Sequence, residues 1–303
     1  MLILQSDEVL IRVDPRSGAE ILDLVDLVTG RQLLGRLPFG TDERAEGVLD
    51  EGGWLAGWRG GWQVCAPNPG NAGPVGDEQH SFHGRASYEP WDVLEAGASY
   101  ARLRWRGHGL EIERELRTEG DAVAVAMTHR ATGTEPAPFA VLEHVSLGLE
   151  ILDPVLELEL PAAPTIDLDG EHGPVRAPAD APRWPQTRRL DGSIATIDRL
   201  ELATPTSQFA CAQNLPEGRA VARGRRAGLE LRWDAAVLPH MWIWYELRSM
   251  GDPFRQMAEI VALEPCSVPH SLGLACAIAE DQATWVEPGD DVSYEFRARV
   301  LRP

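Results

Sequence analysis

The 303-residue sequence contains no lysine, only four cysteines and no apolar run long enough to cross a bilayer. Acidic residues outnumber basic ones by 47 to 28, which gives a formal net charge of −19. Because a surface of that sign repels phosphate groups, nucleic acid and anionic membranes are not expected as partners. A neutral small molecule is easier for such a protein to accommodate.

The scarce cysteines also exclude some kinds of site. Cys65, Cys211, Cys266 and Cys276 lie far apart without a C-x-x-C pair, which argues against a zinc ribbon and a dithiol redox centre. We therefore expect buried thiols. No metal site is expected at His80-x-x-His83 either, since no further ligands stand at a supporting spacing.

The first residues suggest where the protein resides. A signal peptide needs an unbroken apolar stretch, and Asp7 and Glu8 interrupt the sequence where that stretch would lie. A cytoplasmic location is therefore expected.

Alternation of apolar and polar residues recurs along the chain and predicts half-buried strands. Helical periodicity is scarce, and the one convincing helix start is GDPFRQMAE, with Asp252 as N-cap and Pro253 in the first turn. The sequence therefore predicts an all-β protein with few short helices. The strand candidates include AVAVAMTH, PFAVLEHVSL, LELRWDAAV, PHMWIWYELRS, EIVALEP and VSYEFRARVL.

One hairpin is predicted in detail. In RLRWRGHGLEIERE a two-residue turn at His108-Gly109 would set arginines of one strand opposite glutamates of the next. Trp105 would then pair with Ile112 on the core face. The charged ladder is interpreted as a solvated face without a functional role.

The stretch from residue 161 to 185 is the most proline-rich part of the chain and has the composition of a linker. Strand-like segments of the same character lie on both sides of it. We therefore interpret it as a long excursion within a single domain that spans residues 1–303.

Three ionisable residues stand where strands are predicted to meet loops. His83 precedes a glycine and could be only a turn residue. His144 follows an alternation of apolar and polar residues, and it could equally be a buried core histidine whose ring nitrogens are hydrogen-bonded. Glu264 follows four apolar residues and precedes Pro265. A carboxylate there must be paired, hydrogen-bonded or partly neutral, because an isolated buried charge is very costly.

A fourth candidate region is the strand PHMWIWYELRS. Trp242, Trp244 and Glu246 would share one of its faces, and two indole rings beside a carboxylate could form a platform for a sugar ring. The same face could instead be the second side of a strand covered on both faces. His240 could lie at the rim of the platform or only in the turn after Pro239.

The order of these motifs resembles the aldose 1-epimerase (galactose mutarotase-like) superfamily, and its hexose-phosphate mutarotase branch most nearly. GGWQVCAPNPG is similar to that branch's Gly-Gly loop with cysteine and proline, and HGRASYEPW to its His-Gly-x-Ala segment. LEHVSLG stands in the place of the second histidine segment, PHMWIWYEL in that of an aromatic strand and LEPCSVP in that of the catalytic glutamate.

The resemblance implies a large antiparallel β-sandwich whose sheet forms a sugar-binding cleft. It also implies that Glu264 takes the proton from the anomeric hydroxyl, that His144 protonates the ring oxygen and that His83 binds the substrate as the ring opens. No cofactor or metal would be needed. The loop after Gly60 would wall the cleft, with amides of Asn68 and Asn71 facing the sugar hydroxyls.

The mid-chain aspartate of the family has two candidates here, Asp191 and Asp198 in LDGSIATIDRL. Family members place an arginine three residues after the first histidine, whereas here Arg85 lies two residues after His83. Two alternatives remain open at this stage: a sugar-binding or regulatory protein without turnover, and a lyase or glycosidase on the same fold.

Overall fold

The computed structural model describes residues 1–37, 47–168, 175–249, 254 and 256–303. Strands form most of the regular structure in these ranges, and the helices there are short. The prediction of an all-β protein with few short helices is confirmed. The predicted helix start at Asp252 and Pro253 lies outside the described residues. No helix in the described ranges has the length and apolar character required to span a bilayer.

The elements of the described residues are short and follow one another closely. In chain order the strands are β1 (Leu2–Gln5), β2 (Val9–Asp14), β3 (Glu20–Asp26), β4 (Arg31–Gln32), β5 (Trp62–Cys65), β6 (Gly73–Val75), β7 (Glu78–His80), β8 (Asp92–Ala96), β9 (Tyr100–Gly107), β10 (Leu110–Glu119), β11 (Ala122–Ala131), β12 (Ala137–Phe139), β13 (Leu142–Leu147), β14 (Val155–Glu159), β15 (Thr165–Asp167), β16 (Gln186–Arg188), β17 (Ile194–Thr196), β18 (Arg199–Glu201), β19 (Thr206–Ala212), β20 (Arg219–Arg223), β21 (Gly228–Trp233), β22 (His240–Leu247), β23 (Glu259–Cys266), β24 (Thr284–Val286) and β25 (Val292–Leu301). The helices are α1 (Glu51–Gly57), α2 (Leu149–Leu152) and α3 (Leu274–Ala279), with a 3-10 turn at Arg85–Ser87.

Two large sheets dominate the described part of the chain. The first has twelve strands in the order β1-β2-β3-β5-β13-β23-β22-β19-β15-β16-β17, with β4 beside β3. The second has nine, in the order β18-β14-β20-β21-β25-β11-β10-β9-β8. The pairing is antiparallel except between β15 and β16. The sheets pack face to face, as shown by the rings of Trp62 and Phe296, whose centroids are 5.0 Å apart.

The alternation along β22 separates the two faces of the first sheet. One set of side chains joins the large apolar cluster between the sheets, while Trp242 and Trp244 lie on the opposite face in two smaller clusters. The predicted alternation of this strand is therefore confirmed. The side chains that face the second sheet are Met241, Ile243, Tyr245 and Leu247.

The hairpin of β9 and β10 has the predicted register. Arg106 lies opposite Glu111, and Trp105 lies opposite Ile112. His108 and Gly109 form the turn with φ values of 52° and 70°. Leu103, Trp105 and Ile112 are buried, so this face of the hairpin is part of the core.

The proline-rich stretch belongs to the first sheet. β15 lies within it, and Pro164 forms a bridge with Arg183, which brings the two ends of the segment together. The hairpin of β16 and β17 then extends the sheet edge. The cysteines are all free, and Cys276 alone is partly exposed, so the expectation of buried thiols is confirmed for the other three.

Candidate active site

A cavity of about 660 Å³ lies on the face of the first sheet that is turned away from the second. This volume falls within the range of small-molecule sites, about 300–1,000 Å³. The predicted residues that line it are His83, His144, Trp242, Trp244 and Glu264. The structure therefore brings both histidines, the glutamate and the two tryptophans of the sequence analysis to one place.

Strand order explains why residues distant in sequence meet here. β13, β23 and β22 are consecutive neighbours in the first sheet. Trp242 lies directly opposite Glu264 in the β22–β23 ladder, so both side chains project from the same face. On the other side of β23, His144 of β13 projects from that face as well, since Val145 opposite Leu263 faces the core.

His144 and Glu264 form the polar centre of the cavity. The Nε2 atom of His144 lies 3.6 Å from Oε1 of Glu264, and both residues are buried. Burial disfavours the charged form of each group, so it raises the pKa of Glu264 well above 4.5 and lowers the pKa of His144 to about 4. Burial therefore favours a protonated carboxyl beside a neutral imidazole.

His83 is held by the loop that precedes β6. Its backbone N–H donates to the carbonyl of Gly70 at 3.0 Å, and its Nδ1 accepts from the Gly70 N–H at 3.2 Å. A neutral His83 therefore carries its proton on Nε2. Burial and the neighbouring His144 lower the pKa of His83 well below 6.5, so the ring is neutral. It is prepared to donate one hydrogen bond to a ligand oxygen.

Backbone conformation explains the His-Gly pair. Both residues have positive φ, 57° for His83 and 71° for Gly84. A Cβ on Gly84 would lie 2.1 Å from the carbonyl oxygen of Ala66, so only glycine fits at this close approach. The pair is thus a tight turn that also places an imidazole in the cavity.

The segment GGWQVCAPNPGNAG is only partly the loop that the sequence suggested. Its residues Trp62–Cys65 form the buried strand β5 in the middle of the first sheet, because this run is apolar enough to be covered on both faces. The following residues form a loop, and Gly70 and Asn71 of that loop line the cavity. The loop is therefore a wall of the cavity, as predicted, but a shorter one.

Asn68 has another role in that loop. Its side-chain amide donates to the carbonyls of Asn71 at 2.9 Å and Ser81 at 2.7 Å, and its Oδ1 accepts from the Leu274 N–H. The side chain is buried and does not line the cavity. Its contacts join three segments of the cavity wall to one another.

Two other predicted contact residues also lie outside the cavity lining. Arg85 forms an ion pair with Glu89, one turn along the chain. Glu246 is buried and accepts a hydrogen bond from the Ser249 N–H at 2.9 Å, because it lies nearer the end of β22. Both side chains have structural partners.

His240, at the start of β22, is also outside the lining. Its Nδ1 accepts from the Asn214 N–H at 3.2 Å, and burial lowers its pKa to about 4. It shares a face with Trp242 but stands at the opposite end of the strand from Trp244. Asp191 accepts from Ser193 in an exposed turn, and neither it nor Asp198 lines the cavity.

Sequence reasoning missed helix α1, which adds two aromatic walls. Trp54 and Trp58 stack with centroids 5.4 Å apart, and the Trp58 ring meets His144 edge-on at 5.1 Å. Asp50 caps the helix by accepting from the Gly53 N–H at 2.8 Å. The sequence did contain a signal for this helix, an N-cap aspartate followed by two tryptophans four residues apart. Three glycines in the same segment disfavour a helix and hid that signal.

Hydrogen bonds to buried side chains of the first sheet fix the orientation of the Trp58 ring. Its Nε1–H donates to Oε1 of Gln63 at 3.1 Å, and Gln63 donates in turn to Glu20 at 3.0 Å. Arg59 forms ion pairs with Glu20 and with Asp14, and all these groups are buried. A polar network between the first strands of the sheet thus holds one wall of the cavity.

A second depression, of about 840 Å³, lies on the outer face of the second sheet. Charged residues line much of it, and they pair with one another: Arg117 with Glu115, and Arg297 with Glu119. Burial strongly shifts the pKa of one group in its lining, the Tyr294 hydroxyl, whose pKa it raises, and that hydroxyl already donates a hydrogen bond to Glu143 between the sheets. The aromatic cavity is therefore the better candidate for chemistry.

Comparison with known proteins is informative only at the level of structure. No protein-family model matches the chain, and no curated protein gives a significant sequence match. The fold is similar to that of the Slr1438 protein from Synechocystis sp. PCC 6803, with a TM-score of 0.73 and 17% identity over 99% of this chain and 95% of that one.

Two further solved structures with similar folds are named after enzymes that act on sugars. A galactose mutarotase related enzyme from Lactobacillus acidophilus matches with a TM-score of 0.68 and 13% identity, over 99% of this chain and 96% of that one. A candidate aldose 1-epimerase from Escherichia coli K12 matches with a TM-score of 0.68 and 13% identity, over 100% and 99% of the two chains. These identities are low, and the likeness is one of fold: the chain has the galactose mutarotase-like fold.

Proposed function

We propose that the protein is an aldose 1-epimerase that interconverts the α and β anomers of a sugar by opening and closing its ring. The observation that carries this proposal is the approach of His144 to Glu264, 3.6 Å apart in a buried cavity walled by aromatic rings. Anomer exchange requires a base for the anomeric hydroxyl and an acid for the ring oxygen. The pair supplies one of each.

The reaction proceeds in two symmetrical halves. The Glu264 carboxylate removes the proton of the anomeric hydroxyl while the His144 imidazolium protonates the ring oxygen, and the bond from the anomeric carbon to that oxygen breaks. An open-chain aldehyde results. Rotation about the first carbon–carbon bond presents the other face of the carbonyl, and the reverse proton transfers close the ring as the other anomer.

The pair carries one proton throughout. Before ring opening it is on His144, and after ring opening it is on Glu264. Burial by itself favours the second arrangement, in which both groups are neutral. A sugar hydroxyl beside Glu264 and a ring oxygen beside His144 would solvate the charged arrangement as the substrate binds. His83 donates from Nε2 to a further substrate oxygen and stabilises charge as the ring opens.

The walls suit a pyranose ring. The C–H faces of a sugar pack on indole rings, and Trp54, Trp58 and Trp244 supply such surfaces. Glu51 and Asn71 also line the cavity and offer hydrogen-bonding groups to hydroxyls. We therefore propose an aldose as the substrate.

The test is a polarimetric or NMR exchange assay with a panel of free and phosphorylated aldoses, corrected for spontaneous mutarotation. Glu264→Gln keeps the side-chain shape and removes the base. We expect it to reduce turnover by about 100-fold to 10,000-fold while sugar binding persists. His144→Asn should do likewise, and the double variant should be little worse than the poorer single one, since the two groups act together.

The control is Glu280→Gln, which removes an exposed carboxylate beyond α3 and should leave turnover unchanged. Wild-type rates in a folded Glu264→Gln variant would rule out this mechanism. A wild-type protein that binds saccharides of both anomeric forms without accelerating their exchange would instead be a binding protein. Cleavage of a disaccharide would identify a lyase or glycosidase.

A further inference from the structure

Three potential metal ligands meet outside the cavity, at the junction of two hairpins. Glu78 and His80 belong to β7, and His108 belongs to the turn between β9 and β10. One ligand atom from each lies within 4.8 Å of the other two. The hairpin register and the turn at His108-Gly109 together create this cluster, although Glu78 and His108 are 30 residues apart in sequence.

Two ring nitrogens in the cluster lack a partner. Nδ1 of His80 and Nε2 of His108 are buried and form no hydrogen bond with the described residues. His80 is only 4% exposed, and its ring stacks on His108 with centroids 4.0 Å apart. Buried polar atoms are nearly always satisfied, so two orphan imidazole nitrogens side by side call for an explanation.

We propose that Glu78, His80 and His108 bind one Zn²⁺ ion, with water in the remaining position. Two imidazoles and one carboxylate are a ligand set that zinc accepts with three protein ligands and a water.

Rearrangement of the side chains would complete the site. Tetrahedral zinc with bonds of about 2.0–2.2 Å places its ligand atoms roughly 3.3 Å apart. The ligand atoms of the cluster lie within 4.8 Å of one another, so the widest separation would shorten by up to about 1.5 Å. The Glu78 side chain is 59% exposed, so solvent leaves it room to change rotamer. Its carboxylate lies 2.6 Å from Nδ1 of His108, the nitrogen opposite the unpartnered Nε2, and that hydrogen bond would break as the carboxylate turns toward an ion.

The site would connect parts of the fold that serve the cavity. His80 stands three residues before His83, and Ser81 between them accepts from the Leu49 N–H, ahead of helix α1. Zinc would tie the hairpin that leads to His83 to the second sheet through His108. Its effect would therefore be on the stability of this segment, and the anomer-exchange chemistry would not require it.

The experiment is a calorimetric titration of the metal-stripped full-length protein with ZnCl₂, together with visible spectra after addition of Co²⁺. We expect one equivalent to bind, a rise in melting temperature and the intense visible bands of four-coordinate cobalt. His80→Gln and His108→Gln should each weaken zinc affinity by more than about 100-fold. Loss of a residue that only hydrogen-bonds to a metal ligand typically weakens it by about 10-fold to 100-fold. Glu78→Gln keeps the buried residues intact and tests the site if those variants fold poorly.

Asp77→Asn is the matched control. Asp77 is the exposed neighbour of Glu78 in the same hairpin, and its substitution removes the same charge without removing a ligand. It should bind zinc like the wild type, whereas Glu78→Gln should not. His144→Asn should also retain binding, which separates this site from the cavity. Absence of a stoichiometric event, or equal binding by Glu78→Gln and Asp77→Asn, would overturn the proposal.

Discussion

Glu143 and His144 are adjacent in β13 and face opposite sides of the first sheet. His144 enters the cavity, whereas Glu143 is fully buried between the two sheets. There it accepts from Trp62 Nε1 at 2.6 Å and from Tyr294 Oη at 2.8 Å, and it pairs with Arg114 at 3.3 Å. The strand that carries the His144 imidazole is thus anchored to the second sheet directly behind it.

This anchor should be important for stability. Arg114→Met leaves a buried carboxylate without its counter-charge, and we expect a loss of about 3–5 kcal/mol in the free energy of unfolding. Urea denaturation provides the measurement. Arg114→Met combined with Glu143→Gln removes both charges and should recover part of the loss. If the double variant is less stable by the sum of the single effects, the two residues are not coupled.

Turnover should depend on pH in a direction set by burial. As pH falls through about 4, His144 and Glu264 both hold protons and no base remains. As pH rises through the raised pKa of Glu264, the single proton leaves and no acid remains. The profile of kcat/KM should therefore be broad and bell-shaped, with limbs that belong to the pair. An acidic limb near 6.5, the ordinary value for histidine, would contradict the lowered pKa of His144.

Trp244 should contribute to sugar affinity. Its ring lies against Trp58 in the cavity, with centroids 5.7 Å apart. Trp244→Leu should weaken binding by about 1–2 kcal/mol, or roughly 5-fold to 30-fold in Kd, as measured by calorimetry. Trp285→Leu is the control, since Trp285 is 48% exposed and lies outside the cavity lining. Equal Kd values for both variants would show that the ring is not a sugar platform.

Substitution of Asn68 should affect protein stability, whereas substitution of Asn71 should affect sugar binding. Asn68→Ala removes the contacts that join three wall segments and leaves the Leu274 N–H unpaired, so it should lower stability by about 1–3 kcal/mol. Asn71→Ala changes an exposed side chain and should alter stability by less than about 0.5 kcal/mol while it weakens sugar binding. Thermal unfolding and sugar titration of both variants are the measurements. Loss of affinity without loss of stability in Asn68→Ala would assign that amide to the ligand.

We propose that residues 1–303 unfold as one domain. The apolar cluster between the sheets draws on strands from both ends of the chain, and the proline-rich stretch extends the first sheet. Unfolding followed by tryptophan fluorescence and by far-ultraviolet circular dichroism should give coincident transitions. Cleavage between residues 175 and 185 that releases two independently folded halves would contradict this.

Features with local causes were predictable from the sequence. The turn at His108-Gly109 and the alternating charges determine the hairpin register, and the alternation in β22 separates Trp242 from the core. Convergence of His83, His144 and Glu264 could be inferred only from the resemblance, because pairing of β13 with β23 depends on contacts between segments over 100 residues apart.

Other features depend on tertiary contacts that no local pattern reveals. The burial of Arg114 becomes favourable only with Glu143, which comes from the other sheet. Asn68 lies in a polar loop and is of a residue type that often binds ligands. Its side-chain amide is instead hydrogen-bonded to the backbone of Ser81 and Leu274. Helix α1 is seven residues long and contains three glycines, so its stability comes from packing of Trp54 and Trp58 over the sheet.

The alternation of β13, β22 and β23 has a consequence for insertions and deletions. His144, Trp242, Trp244 and Glu264 all occupy even-numbered positions on one face of three neighbouring strands. Loss of one residue inside β23 upstream of Glu264 would turn that carboxylate toward the apolar interior and bring Leu263 or its neighbour into the cavity. Point substitutions can therefore change the cavity one side chain at a time, whereas a one-residue length change within these strands would exchange the side chains of the interior with those of the cavity.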